Sequence, residues 1–180
     1  MKKTIKGVLI VEGLHDKNVI ESFYNVDFVL TNGFAINKDE LIYLNSLPSS
    51  TPIYILTDPD ISGDKIRENL HSKLKRYVDL IVDIKMCNKH NKHGVAECDR
   101  NELVKTLENN VKFYENIEFS NKILEDLGVF GQINTNEIIN KISNAYSLGK
   151  ATKYNLALRL NNMGISIDSL KRTISKNDYR

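Results

Sequence analysis

Hydrophobic positions along this chain follow two rhythms. Up to about residue 110, short and nearly continuous apolar runs alternate with amphipathic stretches, and beyond it only the amphipathic rhythm persists. The runs at about 5–11, 27–31, 53–57 and 79–85 are rich in Val, Ile and Leu, as strands buried on both faces are. Between and after them, 16–24, 38–47, 63–76 and 100–109 predict helices. Such alternation builds right-handed βαβ units, so the expected class is α/β, a mainly parallel sheet with helices on both faces. Downstream the pattern predicts helices over about 119–127, ending at Gly128; 135–146, opened by a Thr135 cap; 151–163, ending at Gly164; and 166–175, opened by Ser166. The division expected is a first domain over 1–110 and a small helical C-terminal domain over 111–180.

Composition leaves this picture in place. With 41% hydrophobic and 27% charged residues, 180 residues suffice for one substantial core and a small satellite. No apolar stretch approaches the ~18 residues of a membrane span, and Met1-Lys2-Lys3 leads straight into a strand, which predicts a cytoplasmic protein. The net charge of +2 is small but unevenly placed: Lys150, Lys153, Arg159, Lys171, Arg172, Lys176 and Arg180 face only Asp168 and Asp178 in the last stretch, a local excess of +5. A solvated helix face and a phosphate-gripping surface both fit that excess. Cys87 and Cys98 are too few for a disulfide framework and suit a reducing compartment. They flank His90 and His93 in a Cys-x2-His-x2-His-x4-Cys line that matches no common zinc module, so zinc is expected to be absent.

Two of the apolar runs end abruptly in carboxylates: Val8-Leu9-Ile10-Val11-Glu12-Gly13 and Ile53-Tyr54-Ile55-Leu56-Thr57-Asp58-Pro59-Asp60. Open parallel sheets place their sites beyond the carboxyl ends of the strands, so Glu12, Asp58 and Asp60 would meet at one rim. Three carboxylates gathered there repel one another unless a hard cation neutralises them, and magnesium is the economical candidate. Taken singly, each ending also fits a helix cap or a turn. Residues two apart at a strand end point the same way, and Pro59 stiffens the link between Asp58 and Asp60.

Together these fragments resemble the Toprim domain, which pairs a strand ending in Glu-Gly with a later strand ending in Asp-x-Asp. Three longer motifs, Glu12-Gly13-x-x-Asp16, Thr31-Asn32-Gly33-x-Ala35-Ile36 and Thr57-Asp58-Pro59-Asp60-x-x-Gly63-x-x-Ile66-Arg67, are similar to the ribonuclease M5 family. Leu158-x-Leu160-x-x-Met163-Gly164-Ile165 extends the likeness, more weakly, into the C-terminal part. The resemblance implies a magnesium-dependent endoribonuclease that matures precursor 5S ribosomal RNA by cutting a double-stranded stem. Its partner would be the 5S-binding ribosomal protein or a ribosomal intermediate. It implies two ions about 4 Å apart, one shared by Glu12 and Asp58 and the other by Asp58 and Asp60. Glu97 stands where the family has a further acid, and Arg67 and Lys65 are candidates for a phosphate. Asp16 would orient ligand waters or serve the helix dipole. His15 and Leu14 depart from the family, which often has an acid and a base there. RNA would be gripped by Lys150, Lys153, Arg159, Lys171 and Arg172. From a different class, a non-catalytic Toprim-fold nucleic-acid-binding module fits the same fold.

Overall fold

The structure is a computed structural model and describes residues 2–31, 33, 36–89 and 92–175. Asn32 and Ala35 of the second motif, His90 of the Cys/His line, and Lys176, Asp178 and Arg180 of the tail lie outside the described residues.

The four apolar runs form one parallel sheet: β1 (Thr4–Val11), β2 (Asn25–Leu30), β3 (Ile53–Ile55) and β4 (Val78–Asp79), in the order β2-β1-β3-β4. The parallel α/β architecture expected from the sequence is the one found. Central β1 has Val8, Leu9, Ile10 and Val11 all at 0% exposure, which is why it reads as an unbroken apolar run. Its register shifts between Thr4 and Val8, and Gly7 sits there at φ +116°, where a side chain would strain the backbone and meet the Pro52 carbonyl. Ahead of the shift, Ile5 forms an antiparallel bridge with Phe113, and the Tyr114 N–H donates to the Thr4 carbonyl at 2.9 Å.

α1 (Leu14–Glu21) follows β1, α3 (Ile61–Lys73) follows β3, and α4 (Arg100–Asn110) precedes the return to Phe113. The core joins Leu9 and Val11 of β1, Tyr54 and Leu56 around β3, Ile20 of α1, and Leu103 and Leu107 of α4. Each such aliphatic side chain contributes about 1.5–3 kcal/mol on full burial. The predicted strand 79–85 shrinks to β4. Leu80 and Val82 are buried while Ile81 is exposed, so the alternation of a strand continues to Val82 without a strand and ends at the exposed Ile84, where Ile84–Met86 forms a 3-10 turn capped by Asp83.

The chain then makes a short antiparallel hairpin, β5 (Asn88–Lys89) and β6 (Lys92–His93), and a second 3-10 turn, Val95–Glu97. Cys87 and Cys98, expected as separate thiols, are joined as a disulfide, because the segment doubles back with Asp99 N–H donating to the Met86 carbonyl at 2.8 Å and both sulfurs enter the core.

The chain divides into two compact units, Met1–Asn37 with Ser50–Tyr114, and Lys38–Ser49 with Glu115–Arg180. The second contains α2 (Lys38–Ser46), α5 (Asn121–Asp126), α6 (Thr135–Tyr146), α7 (Leu156–Asn162) and α8 (Ile167–Ser175). α6 spans its predicted range, but Asn134 occupies the cap position while the Thr135 hydroxyl donates to the Gln132 carbonyl. α7 starts later than predicted, because Asn155 Oδ1 accepts the Thr152 N–H at 2.7 Å and holds 152–155 as a turn. Tyr146 on α6 donates to the Ser169 carbonyl on α8 at 2.9 Å.

Arg159, expected among the RNA-gripping residues, is instead interior. It is 1% exposed, pairs with Glu40 of α2 at 2.9 Å, donates to the Leu148 carbonyl and lies 4.6 Å from the Tyr43 ring centre. A guanidinium on an apolar helix face can cross into the interior when a carboxylate, a carbonyl and an aromatic face meet it together. Replacing Arg159 by Ala removes the cation that neutralises the Glu40 carboxylate, so stability should fall by about 3–5 kcal/mol. Urea denaturation of the two proteins checks this, and a loss below about 1 kcal/mol would place the pair among ordinary surface ion pairs.

Candidate active site

Neighbouring parallel strands with adjacent carboxyl ends define the site. Val8, Leu9 and Ile10 of β1 pair with Ile53, Tyr54 and Ile55 of β3, so Glu12 and Asp58 leave the sheet side by side. Glu12 Oε1 accepts the Asp58 backbone N–H at 2.7 Å and ties the two ends together. Asp58 Oδ1 accepts the Val95 N–H at 2.7 Å, which brings the 3-10 turn Val95–Glu97 to the rim. Asp60 caps α3, its Oδ1 accepting from Gly63 N at 2.8 Å. Asp16, 7% exposed, accepts from Gly13 N at 3.0 Å and from the Ala96 backbone. The predicted trio therefore converges, and each member is both a backbone partner and a rim carboxylate.

The electrostatics follow from that crowding. Burial pushes the Asp58 carboxyl up to about 7; the Val95 N–H opposes the shift, and the charges of Asp16, Glu12 and Asp60 add to it. Burial likewise raises Glu12, against the Asp58 N–H, with Asp60 and Asp16 adding and Arg67 opposing. Asp16 is raised by burial, eased by the Gly13 and Ala96 N–H groups and by His15, and raised further by Glu97. His15, a departure from the family pattern, thus favours the ionised form of Asp16.

Around this cluster stand residues of other roles. The Arg67 guanidinium donates to Thr57 Oγ1 at 2.8 Å and lies 3.5 Å from Asp64 and 3.9 Å from Asp79, while Asp79 also meets His71 at 3.0 Å. Arg67 braces the strand end beside Asp58. Lys65 is exposed in the first turn of α3. Lys150, Lys153, Lys171 and Arg172 are exposed on the helical unit, and Lys153 lies over the exposed Tyr154 ring at 5.0 Å.

Gly63 and Gly94 are close-approach positions: a Cβ on Gly63 would meet the Asp58 carbonyl and lie 2.9 Å from Glu12 Oε1, and one on Gly94 would lie 2.6 Å from Glu97 Oε2. Gly63 belongs to the motif that begins at Thr57, whereas Gly94 belongs to none of the motifs. The only signal for Gly94 was its place before Val95-Ala96-Glu97.

Hard oxygen donors suit a hard cation. Glu12, Asp58 and Asp60 each accept a backbone N–H with one oxygen, and the second oxygen of each is left as a possible cation ligand. Among the described residues, no three His, Cys, Asp or Glu side chains are already placed as a closed ligand set.

Residues 7–92, just under half of the chain, match the Toprim domain, and the parallel sheet agrees with that match. More narrowly, the chain is similar to proteins named ribonuclease M5. It is 25% identical to the ribonuclease M5 of Fusobacterium nucleatum over 98% of both chains. It is 32% identical to that of Mycoplasma genitalium over 62% of this chain and 64% of the other, just under two thirds of that protein. A solved small TOPRIM domain protein from Bacillus stearothermophilus aligns at a TM-score of 0.48 and 26% identity, over 60% of this chain and 90% of that one.

A raised folded-state carboxyl pKa means that the native protein keeps a proton that the unfolded chain has lost. Native Asp58 binds more protons between its ordinary value of 3.8 and about 7, so metal-free stability should fall as pH rises through that window and level off above it. Thermal melts in EDTA across that range check the sign. In Asp58→Asn the amide oxygen still accepts the Val95 N–H while the charge is gone, so the slope should flatten and the metal-free fold gain about 0.5–2 kcal/mol near neutrality.

Proposed function

We propose that this protein is an endoribonuclease of the ribonuclease M5 type that matures precursor 5S ribosomal RNA by cutting a double-stranded stem. Its cofactor is magnesium, as two ions, which Glu12, Asp58 and Asp60 would hold. The observation that carries the reading is the convergence of these carboxylates with Asp16 and Glu97 where burial and mutual repulsion have raised Asp58 to about 7. Such a cluster is costly for folding alone and useful for holding a cation.

Phosphodiester hydrolysis needs an activated water, neutralisation of the phosphate and stabilisation of the departing oxygen, all of which bound magnesium supplies. The chain's own part is positioning. Glu12 locks the Asp58 backbone, Val95 aims the Asp58 carboxylate, Asp60 is oriented by the first turn of α3, and Arg67 steadies Thr57. Asp16 and Glu97 supply further negative charge near the ligands.

In this reading the domain over 1–110 carries the chemistry and 111–180 grips RNA through Lys150, Lys153, Lys171 and Arg172. The substrate is met in the cytoplasm, either bound by its ribosomal protein or within a ribosomal intermediate. No helix among the described residues is long and apolar enough to cross a membrane.

Asp58→Asn should abolish magnesium-dependent cleavage of precursor 5S RNA, whereas Lys65→Ala should reduce it modestly. Incubation with and without EDTA decides: near wild-type cutting by Asp58→Asn removes the assignment, and RNA binding without any cutting favours the non-catalytic module. Neutralising Lys150, Lys153, Lys171 and Arg172 together should weaken RNA binding and flatten its logarithmic salt slope by about 0.7–0.9 for each phosphate no longer neutralised. Equal affinities and slopes across a salt series would show that these cations do not touch RNA.

A further inference from the structure

Gly94 stands just before the turn Val95–Glu97 with φ −156° and ψ 166°, extended backbone that any residue adopts. Its lack of a side chain therefore answers to space. A Cβ there would lie 2.6 Å from Glu97 Oε2, 3.2 Å from Asp58 Oδ1 and 3.3 Å from Asp58 Oδ2. Three oxygens of two carboxylates thus border one methyl-sized volume, and the next residue's N–H already holds Asp58 Oδ1 at 2.7 Å. A methyl group in that volume would desolvate both carboxylates and offer them no hydrogen bond.

Resting on the metal-dependent reading above, we propose that Gly94 is a positioning residue: its missing side chain lets the Glu97 and Asp58 carboxylates close on one backbone position, and Glu97 acts together with Asp58 on a divalent cation or its water. The backbone contributes twice, since Gly94 lets both carboxylates approach and Val95 N–H holds Asp58 Oδ1. Cys98 Sγ lies 3.5 Å from the Gly94 carbonyl, and its bond to Cys87 holds the segment in place. A glycine chosen for space beside carboxylates differs from one chosen for a turn, because alanine there preserves the backbone and removes only the room.

The test uses the full chain as wild type, Gly94→Ala, Glu97→Ala and the double variant. Manganese is the probe, with free ion followed by electron paramagnetic resonance, and thermal midpoints are taken in EDTA. Gly94→Ala should weaken manganese binding by about tenfold or more, the size of effect that removing a supporting group has on a metal site. Glu97→Ala removes the 2.6 Å approach but not those to Asp58, so the double variant should still bind more weakly than Glu97→Ala alone. That comparison also decides the matter should Gly94→Ala by itself fold poorly. Binding by Gly94→Ala within about twofold of wild type, or a double variant equal to Glu97→Ala, would overturn the role of Gly94 while leaving the metal reading intact. A wild-type chain that binds no manganese would overturn the metal reading and this role with it.

Discussion

The site depends on one hydrogen bond, from the Asp58 backbone N–H to Glu12 Oε1 across the ends of β1 and β3. Adjacent parallel strands bring the two residues together, and this bond holds them in place despite the like charges that follow. The same device recurs around the rim, where Val95, Gly63 and Gly13 offer N–H groups to Asp58, Asp60 and Asp16. Hydrogen bonds to ionised acceptors are among the stronger ones, so they offset part of the burial and repulsion. They do not offset all of it, since Asp58 remains pushed up to about 7. The cluster is geometrically settled and electrostatically unsatisfied, the condition in which a cation would be held.

Behind the carboxylates a second layer keeps the strand ends rigid. Arg67 reaches from α3 to Thr57 and Asp79, and His71, one helical turn on, meets the same Asp79 and stacks on Tyr77 with ring centres 4.1 Å apart. α3 is thereby tied to β3 and β4 through polar contacts at the level of the site. A placement of this kind makes Arg67 a brace first, and its positive field also favours ionised Glu12.

The helical unit turns on a different buried charge. Glu40 and Arg159 lie far apart in the chain and meet in the interior with Tyr43 and the Leu148 carbonyl. Buried ion pairs add little net stability compared with apolar packing, but losing one partner is expensive, so the pair specifies where α2 belongs. The exposed cations Lys150, Lys153, Lys171 and Arg172 are thus separated by role from a residue that composition alone groups with them.

The sequence by itself determined the parallel α/β class, the central strands and the rim carboxylates. Val8–Val11 and Ile53–Leu56 are apolar enough to be buried on both faces, and an acid placed at the end of such a run has only the rim to occupy. Local chemistry also marked Gly128 as the stop after α5, and its backbone is left-handed at φ +72°. Only the tertiary structure decided that α2 groups with the C-terminal helices, that Arg159 faces inward, that Cys87 and Cys98 meet, and that Gly94 borders Asp58. Each of these is a meeting between residues distant along the chain, or between a side chain and a backbone group whose position the whole fold sets. Periodicity records which face of an element is apolar; which distant group that face or loop will meet is fixed by packing.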